Sequence, residues 1–345
     1  MDELPRRARY AIVGGGFAGL ATAWALGEAG VDDVVVLERE SRLCAHASSH
    51  NAAMCRALAE DDAWTALTAA GAAWLRRPPP GFTDRPLVDD RGALLITAAP
   101  GPLVALAARH ELRAEVVDGA AVAARWPELE LTAGGLWCPD DGCVELELLT
   151  ASFARAIRRR GGRCVVDAEV VGFTPRGAEV EVATRRGPVT VDAVVAAGGA
   201  WSGPLGSLAG LARGFTPRKR HLFALHLDLG DGPIVWQVDD DEWYLRPSPE
   251  GALASACDHT IAAPGDVEVD PAMRAALRSR LPAHLAGAAI ARAWACQRTY
   301  ADGGVPVIGW DPERPWWCWV AGLGGHGVTA CAEVGRRAAA AIVAR

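Results

Sequence analysis

The sequence predicts an α/β fold: a doubly wound parallel-sheet domain built from separated segments, with a mixed, largely antiparallel-sheet domain inserted between them. Three observations predict it. Near the N-terminus, the strand Ala11-Ile12-Val13 runs straight into a glycine-rich turn and an alanine-rich helix. A second strand, Val189–Ala197, is almost wholly apolar, as a strand buried on both faces is, and it ends in Gly198-Gly199. Downstream of it, HLFALHLDL, PIVWQV, EWYLRP and GALASA follow one another as short strands with turn residues between them. With 345 residues, half of them hydrophobic and 22% charged, the chain can bury two cores.

In chain order, the first element is Tyr10–Gly30, in which Gly14, Gly16 and Gly19 make a G-x-G-x-x-G pattern between strand and helix. Gly14 lets the chain turn sharply, Gly16 lets a pyrophosphate approach the backbone, and Gly19 packs helix against strand. Phe17 and Ala18 open the helix, where free N–H groups and the positive dipole end face phosphates. The next strand, VVVLERE, closes on Glu38 at the spacing where a carboxylate accepts hydrogen bonds from a ribose. A strand, a glycine turn, a helix and a strand ending in an acid together predict a Rossmann-like dinucleotide cradle.

A polar loop, SRLCAHASSHNAAMCR, follows. The spacing of Leu58, Trp64, Leu67 and Trp74 predicts a helix over Arg56–Arg77, stopped by Pro78-Pro79-Pro80-Gly81. Gly92–Thr97 reads as a strand, Pro102–His110 and Ala120–Trp126 as helices, and GGLWCPDDGCVEL as strand and turn. Glu147–Arg160 is a helix whose arginine-rich end is favoured by the dipole. Strands over Arg163–Val166, Glu169–Phe173, Glu179–Ala183 and Val189–Ala197 come next. After the antiparallel run, Pro271–Leu285 is a helix broken near Pro282. RAWACQRTYADGGVPVIG and WWCWVAGL return the chain to a third glycine loop, Gly322–Gly327, and the helix Val328–Val343 closes it. This layout assigns residues 1–84, 142–215 and 297–345 to the cofactor domain, and 85–141 and 216–296 to the substrate domain.

The formal net charge of −7 argues against a nucleic-acid or anionic-membrane partner. Nine cysteines, scattered and without a C-x-x-C, suit a reducing cytoplasm. Cys138 and Cys143 flank PDDG with no histidine cluster nearby, so they read as loop thiols and no metal is expected. MDELPRRAR leads into the first strand without an apolar leader segment, and no apolar run has the length of a membrane span.

Taken together, GGGFAGLATAWAL…LERE, ASSHNAA, DGCVEL, AAGGAWS, WYLRP, RAWACQRTYADGGVPVIG and GLGGHGV resemble the D-amino-acid oxidase / glycine oxidase / sarcosine oxidase superfamily of FAD-dependent oxidoreductases, over essentially the whole chain. The resemblance implies a glutathione-reductase-like FAD-binding domain and oxidation of a small amine or amino acid. Hydride would pass from the substrate α-carbon to flavin N5, and the imine would hydrolyse to a 2-oxo acid or aldehyde. It implies FAD contacts from Arg39, Arg42, Ser48, Ser49, Asn51 and Ala52, from Val170, from Ala197, Gly198 and Trp201, and from Gly324, Gly325, His326, Gly327 and Val328. The last group would act through backbone N–H groups that favour negative charge on the flavin.

For the substrate, Arg298 matches the arginine that grips a carboxylate, a task suited to a planar guanidinium. Tyr244 and Arg246 alternate on one strand and so share a face, which the resemblance sets over the flavin; His259 matches a pocket histidine. Both arginines facing the pocket would favour a dicarboxylic or otherwise anionic substrate over glycine. Cys296 aligns with the cysteine that carries covalent flavin in sarcosine oxidases, while glycine-oxidase-like members bind FAD non-covalently, the mode expected here. Where sarcosine oxidases carry an oxygen-activating lysine this chain reads Ser255, which leaves oxidase and dehydrogenase both open. Two further readings stay open: oxidation of a 2-hydroxy acid or glycerol phosphate with His259 as base, and a flavoprotein subunit that works with a partner chain.

Overall fold

In the computed structural model, which describes residues 2–345, the first sheet runs in the order Val307–Trp310, Trp317–Ala321, Gly187–Ala196, Arg7–Val13, Val34–Leu37 and Arg163–Val165. Its central pairs are parallel: Tyr10 aligns with Val34 on one side and with Ala193 on the other. Such strands are covered on both faces, and alternate residues enter two different cores. Tyr10, Ile12, Val34 and Val36 pack on the helical side, and Ala11, Val13, Val35 and Leu37 pack on the other. The helix Phe17–Glu28 is buried at almost every position because the sheet lies beneath it and the final helix, Gly327–Val343, lies against it. Gly335 permits that approach, since a Cβ there would sit 2.5 Å from the Ala21 backbone.

The second sheet runs Ala289–Ala301, Phe215–His226, Gly251–Ser255, Trp243–Ser248, Ile234–Gln237, Ala93–Ile96, Gly135–Cys138 and Glu115–Val117. It is mixed, as expected, because Ile234–Gln237 pairs parallel to Ala93–Ile96 while its other pairs are antiparallel. One face, with Phe223, Trp243 and Leu245, packs on the helix Ala272–Arg280. The opposite face carries Leu222, Tyr244 and Cys296 and looks toward the first sheet's ligand edge.

Several expectations are corrected. The helix placed over Arg56–Arg77 begins at Asp62, because Asp61 caps it by accepting the Trp64 N–H at 2.8 Å. Arg56 and Glu60 therefore lie in a loop. Cys138 and Cys143, read as loop thiols, lie in the strands Gly135–Cys138 and Gly142–Cys143. A short helix at Ser202–Leu208 follows the second glycine pair and carried no periodic signal. Among the described residues no helix is long and apolar enough to cross a membrane.

Candidate active site

A cleft of about 1280 Å³ opens between the ends of the first sheet's strands and the arginine-bearing face of the second. That exceeds the usual span of roughly 300–1,000 Å³ for a small-ligand pocket. Gly14, Gly16, Phe17 and Ala18 line one end with Glu38 and Arg39. Gly14 has φ +115°, and a Cβ there would run into the Ala197 carbonyl oxygen, so this turn accepts only glycine. The helix it opens has no cap from its own N-cap residue; Ser48 Oγ accepts the Phe17 N–H at 3.1 Å. Gly19 lies behind the wall, with any Cβ blocked by the Gly14 carbonyl, and serves the packing role assigned to it.

Glu38 is buried at the end of its strand. Its carboxylate accepts N–H bonds from Gly15 at 2.8 Å and Glu40 at 2.9 Å. Burial raises its pKa and the two backbone bonds oppose that rise. Those bonds fix the carboxylate at the cleft and leave lone pairs free, since a carboxylate has about four acceptor sites. Beside it, Arg39 lies over the Trp201 ring at 4.3 Å, and Val170, Ala197 and Gly198 complete this end. Asn51 and Ala52 line the middle, where Asn51 Oδ1 accepts the Ala53 N–H.

At the other end, Gly324, Gly325, His326, Gly327 and Val328 form the wall where the last helix starts, again without a side-chain cap. His326 is buried. Its Nε2 lies 2.8 Å from Glu60 and its ring 4.5 Å from that of Trp64. Burial lowers its pKa despite Glu60. Glu60 in turn is held below the usual carboxylate range: burial opposes its charge, but Arg56 and His326 outweigh that. Arg56 also lies 4.1 Å over the Trp236 ring. None of this network was legible in the sequence.

Arg298 lines the cleft against the same loop, since a Cβ on Gly325 would be 2.9 Å from its Nη1. His259 also lines it, half-exposed, its Nε2 accepting from Arg220 Nη2 at 3.1 Å. Burial first, then Arg220, lowers the His259 pKa. Arg220 is 1% exposed and lines the cleft, yet sequence reading passed over it. The usable signal was its place two residues before Leu222 in a strand, which puts it on Leu222's face. Cys296 lines the cleft as a buried thiol whose pKa burial pushes up.

Besides Gly19, four expected site residues lie off the cleft. Tyr244 stands one layer behind it, fully buried against Trp236, and burial pushes its phenol up to about 12. Arg246 shares the face of Tyr244, as alternation predicts, but its guanidinium is spent on the Ala52 and Pro247 carbonyls. Arg42 turns outward onto the Ala45 carbonyl, and Ser49 onto that of His46.

The model of the FAD dependent oxidoreductase family, DAO, matches residues 9–341. L-2-hydroxyglutarate dehydrogenase of Escherichia coli (strain UMN026) is 26% identical over 219 residues, covering 60% of this chain and 51% of that protein. D-amino acid dehydrogenase 2 of Mesorhizobium japonicum is 31% identical over 215 residues, covering 59% of this chain and 51% of that one. The chain thus matches these curated relatives over about half of their length. The crystal structure of L-proline dehydrogenase from P. horikoshii superposes with a TM-score of 0.88 at 20% identity, covering 99% of this chain and 94% of that one.

Proposed function

Since the chain belongs to the DAO family of FAD-dependent oxidoreductases, we propose that it oxidises a small amino acid, taking its carboxylate on Arg298 and releasing an imine that hydrolyses to a 2-oxo acid. The observation that carries this reading is Arg298 itself. It is a guanidinium on the cleft wall, packed on the glycine loop that opens the last helix, and it has no carboxylate partner among the described residues. A guanidinium there fixes both oxygens of a substrate carboxylate and so orients the α-carbon attached to it.

The residues present fit FAD. The glycine turn presents bare backbone to the cleft, Glu38 keeps free lone pairs at the same end, and two helix starts without a cap from their own N-cap residue face the same cleft. Gly14, Gly16, Phe17 and Ala18 would hold the pyrophosphate, Glu38 the ribose, and Arg39, Val170 and Trp201 the adenine end. The N–H groups of Gly325–Val328 would favour negative charge at the ring. Bound FAD supplies the two-electron acceptor that no side chain of this chain provides. We propose non-covalent binding, because a protonated, buried Cys296 is a poor nucleophile. The division into cofactor and substrate domains is proposed with the boundaries given above, and nine free thiols support a cytoplasmic location.

Oxidation of a 2-hydroxy acid is the second reading, and it needs a base for the hydroxyl proton. His259 is the candidate, but an arginine only donates, so its Nε2 is the acceptor and the proton of the neutral ring sits on Nδ1. That places the amine reading first. Product analysis tests it: turnover of an amino acid with an artificial electron acceptor should release equal amounts of 2-oxo acid and ammonia. Release of a 2-oxo acid from hydroxy acids alone would reverse the order of the two readings.

A further inference from the structure

The sheet face that carries Arg298 carries two more arginines, Arg218 and Arg220, neither with a carboxylate partner among the described residues, and of the two only Arg220 lines the cleft. Arg218 pairs across the strands with Arg298, and Arg220 with Cys296. Cross-strand partners share a face, so Arg220 lies on the diagonal from Arg298, roughly 7–8 Å away at the backbone. Its only hydrogen bond among the described residues goes to the neutral acceptor His259, while its Nε and Nη1 have no partner. Glu242 reaches His259 at 4.0 Å rather than either arginine. The Arg218 Nε and the Tyr244 hydroxyl on the same face are also unpartnered. Buried polar groups are almost always paired, and a buried cation with unmet donors is strongly unfavourable by itself. A single carboxylate on Arg298 leaves the donors of Arg220 unmet.

We infer that the substrate carries two carboxylates, one held by Arg298 and the second received by Arg220, so that the substrate class is a dicarboxylic amino acid. This deepens the amino-acid reading above and rests on it. His259 serves the arrangement by what it lacks. A carboxylate in its place would neutralise Arg220, whereas a neutral imidazole nitrogen holds the guanidinium and leaves its full charge for the ligand. Arg246, which sequence reasoning offered as the second cation, is occupied by backbone carbonyls, and Arg220 takes that part. Arg220 is thus a specificity-determining residue that meets the far end of the substrate.

Calorimetry on the FAD-loaded protein tests this with acids that cannot be oxidised: succinate and glutarate against acetate and butyrate. The better of the two dicarboxylates should bind at least about tenfold more tightly than either monocarboxylate, as expected for one added charge-assisted pair. Arg220→Met should abolish that advantage, weakening the dicarboxylates far more than the monocarboxylates, with flavin retained. Should that variant fail to accumulate, Arg220→Lys should keep its flavin and only part of the preference. Equal binding of both classes by the unaltered protein, binding of neither, or an equal weakening of both by Arg220→Met overturns the inference. If monocarboxylic amino acids reduce the flavin while dicarboxylates fail, the inference falls and the amino-acid reading stands. If no amino acid reduces it, that reading falls whatever the inhibitors do.

Discussion

Replacing Arg298 by alanine removes the one cation that the structure sets both on the cleft wall and against the Gly324–Val328 loop. Truncating one partner of a desolvated charge pair costs about 2–5 kcal/mol, a loss of roughly 30- to 4,000-fold in kcat/KM for an amino acid. The upper part of that range applies if the cleft closes over the pair, and the lower part if water reaches it. Flavin content should barely change, because Arg298 is assigned to the substrate and the N-terminal glycine turn that would hold the pyrophosphate stays intact. Arg298→Lys should recover part of the loss, since an ammonium offers a point charge rather than a two-pronged grip. The decisive assay compares steady-state kinetics for amino acids with those for the corresponding amines that lack a carboxylate. Amines should start slow and lose little on mutation. An equal loss for acids and amines would show that Arg298 supports the loop, and the carboxylate would then have to be assigned to Arg220.

Four further outcomes are expected. Gly14→Ala should yield protein without flavin, because the turn has φ +115° and the Ala197 carbonyl blocks a Cβ. Gly30→Ala, at φ +82° with nothing within 4 Å of the added atom, should lower stability by about 1–2 kcal/mol and leave flavin content intact, as absorbance and thermal melting would show. Heat or acid should release the flavin into the supernatant from both the unaltered protein and Cys296→Ser; flavin retained by the precipitate of the former alone would mean a covalent link. Burial raises the pKa of Asp141 from 3.8 to about 7, with Arg56 and Arg76 opposing. The folded state then holds a proton that the unfolded state has lost above its own pKa, so this residue's contribution to stability declines as pH rises from about 4 through about 7. Denaturant titrations across that window should show a steeper decline for the unaltered protein than for Asp141→Asn, and parallel curves would contradict the assignment.

The parts of this molecule readable in the sequence are those in which one local stretch carries both signal and function. The N-terminal turn needs Gly14 for its backbone angle and Gly19 for its packing, and both needs are written within one strand–turn–helix unit. The same holds for Gly324–Val328 before the last helix. Alternation correctly put Tyr244 and Arg246 on one face, but periodicity states which face and not which depth. Tyr244 sits behind the wall because Trp236 stands in front, and Arg246 is drawn to the Ala52 carbonyl, far away in the chain. Arg220 was missed for a related reason. A cation just before the apolar run HLFAL becomes significant only once Cys296 and Arg298 are set beside it by the sheet register. The Arg56–Glu60–His326 network joins a loop near the start of the chain to a helix at its end, and no spacing rule links such positions. The helix expected from Arg56 illustrates the cost of reading periodicity without caps, since Asp61 starts that helix late and frees Arg56 and Glu60 for the cleft.

The central claim, that this cleft orients an amino acid for oxidation by FAD, is tested most directly by mixing the purified yellow protein anaerobically with a panel of amino acids, N-methyl amino acids and 2-hydroxy acids and following the flavin absorbance. Amino acids should bleach the flavin in a single turnover, with dicarboxylic ones acting at the lowest concentrations. Bleaching by hydroxy acids alone, or a flavin that no amino acid reduces, would contradict the account.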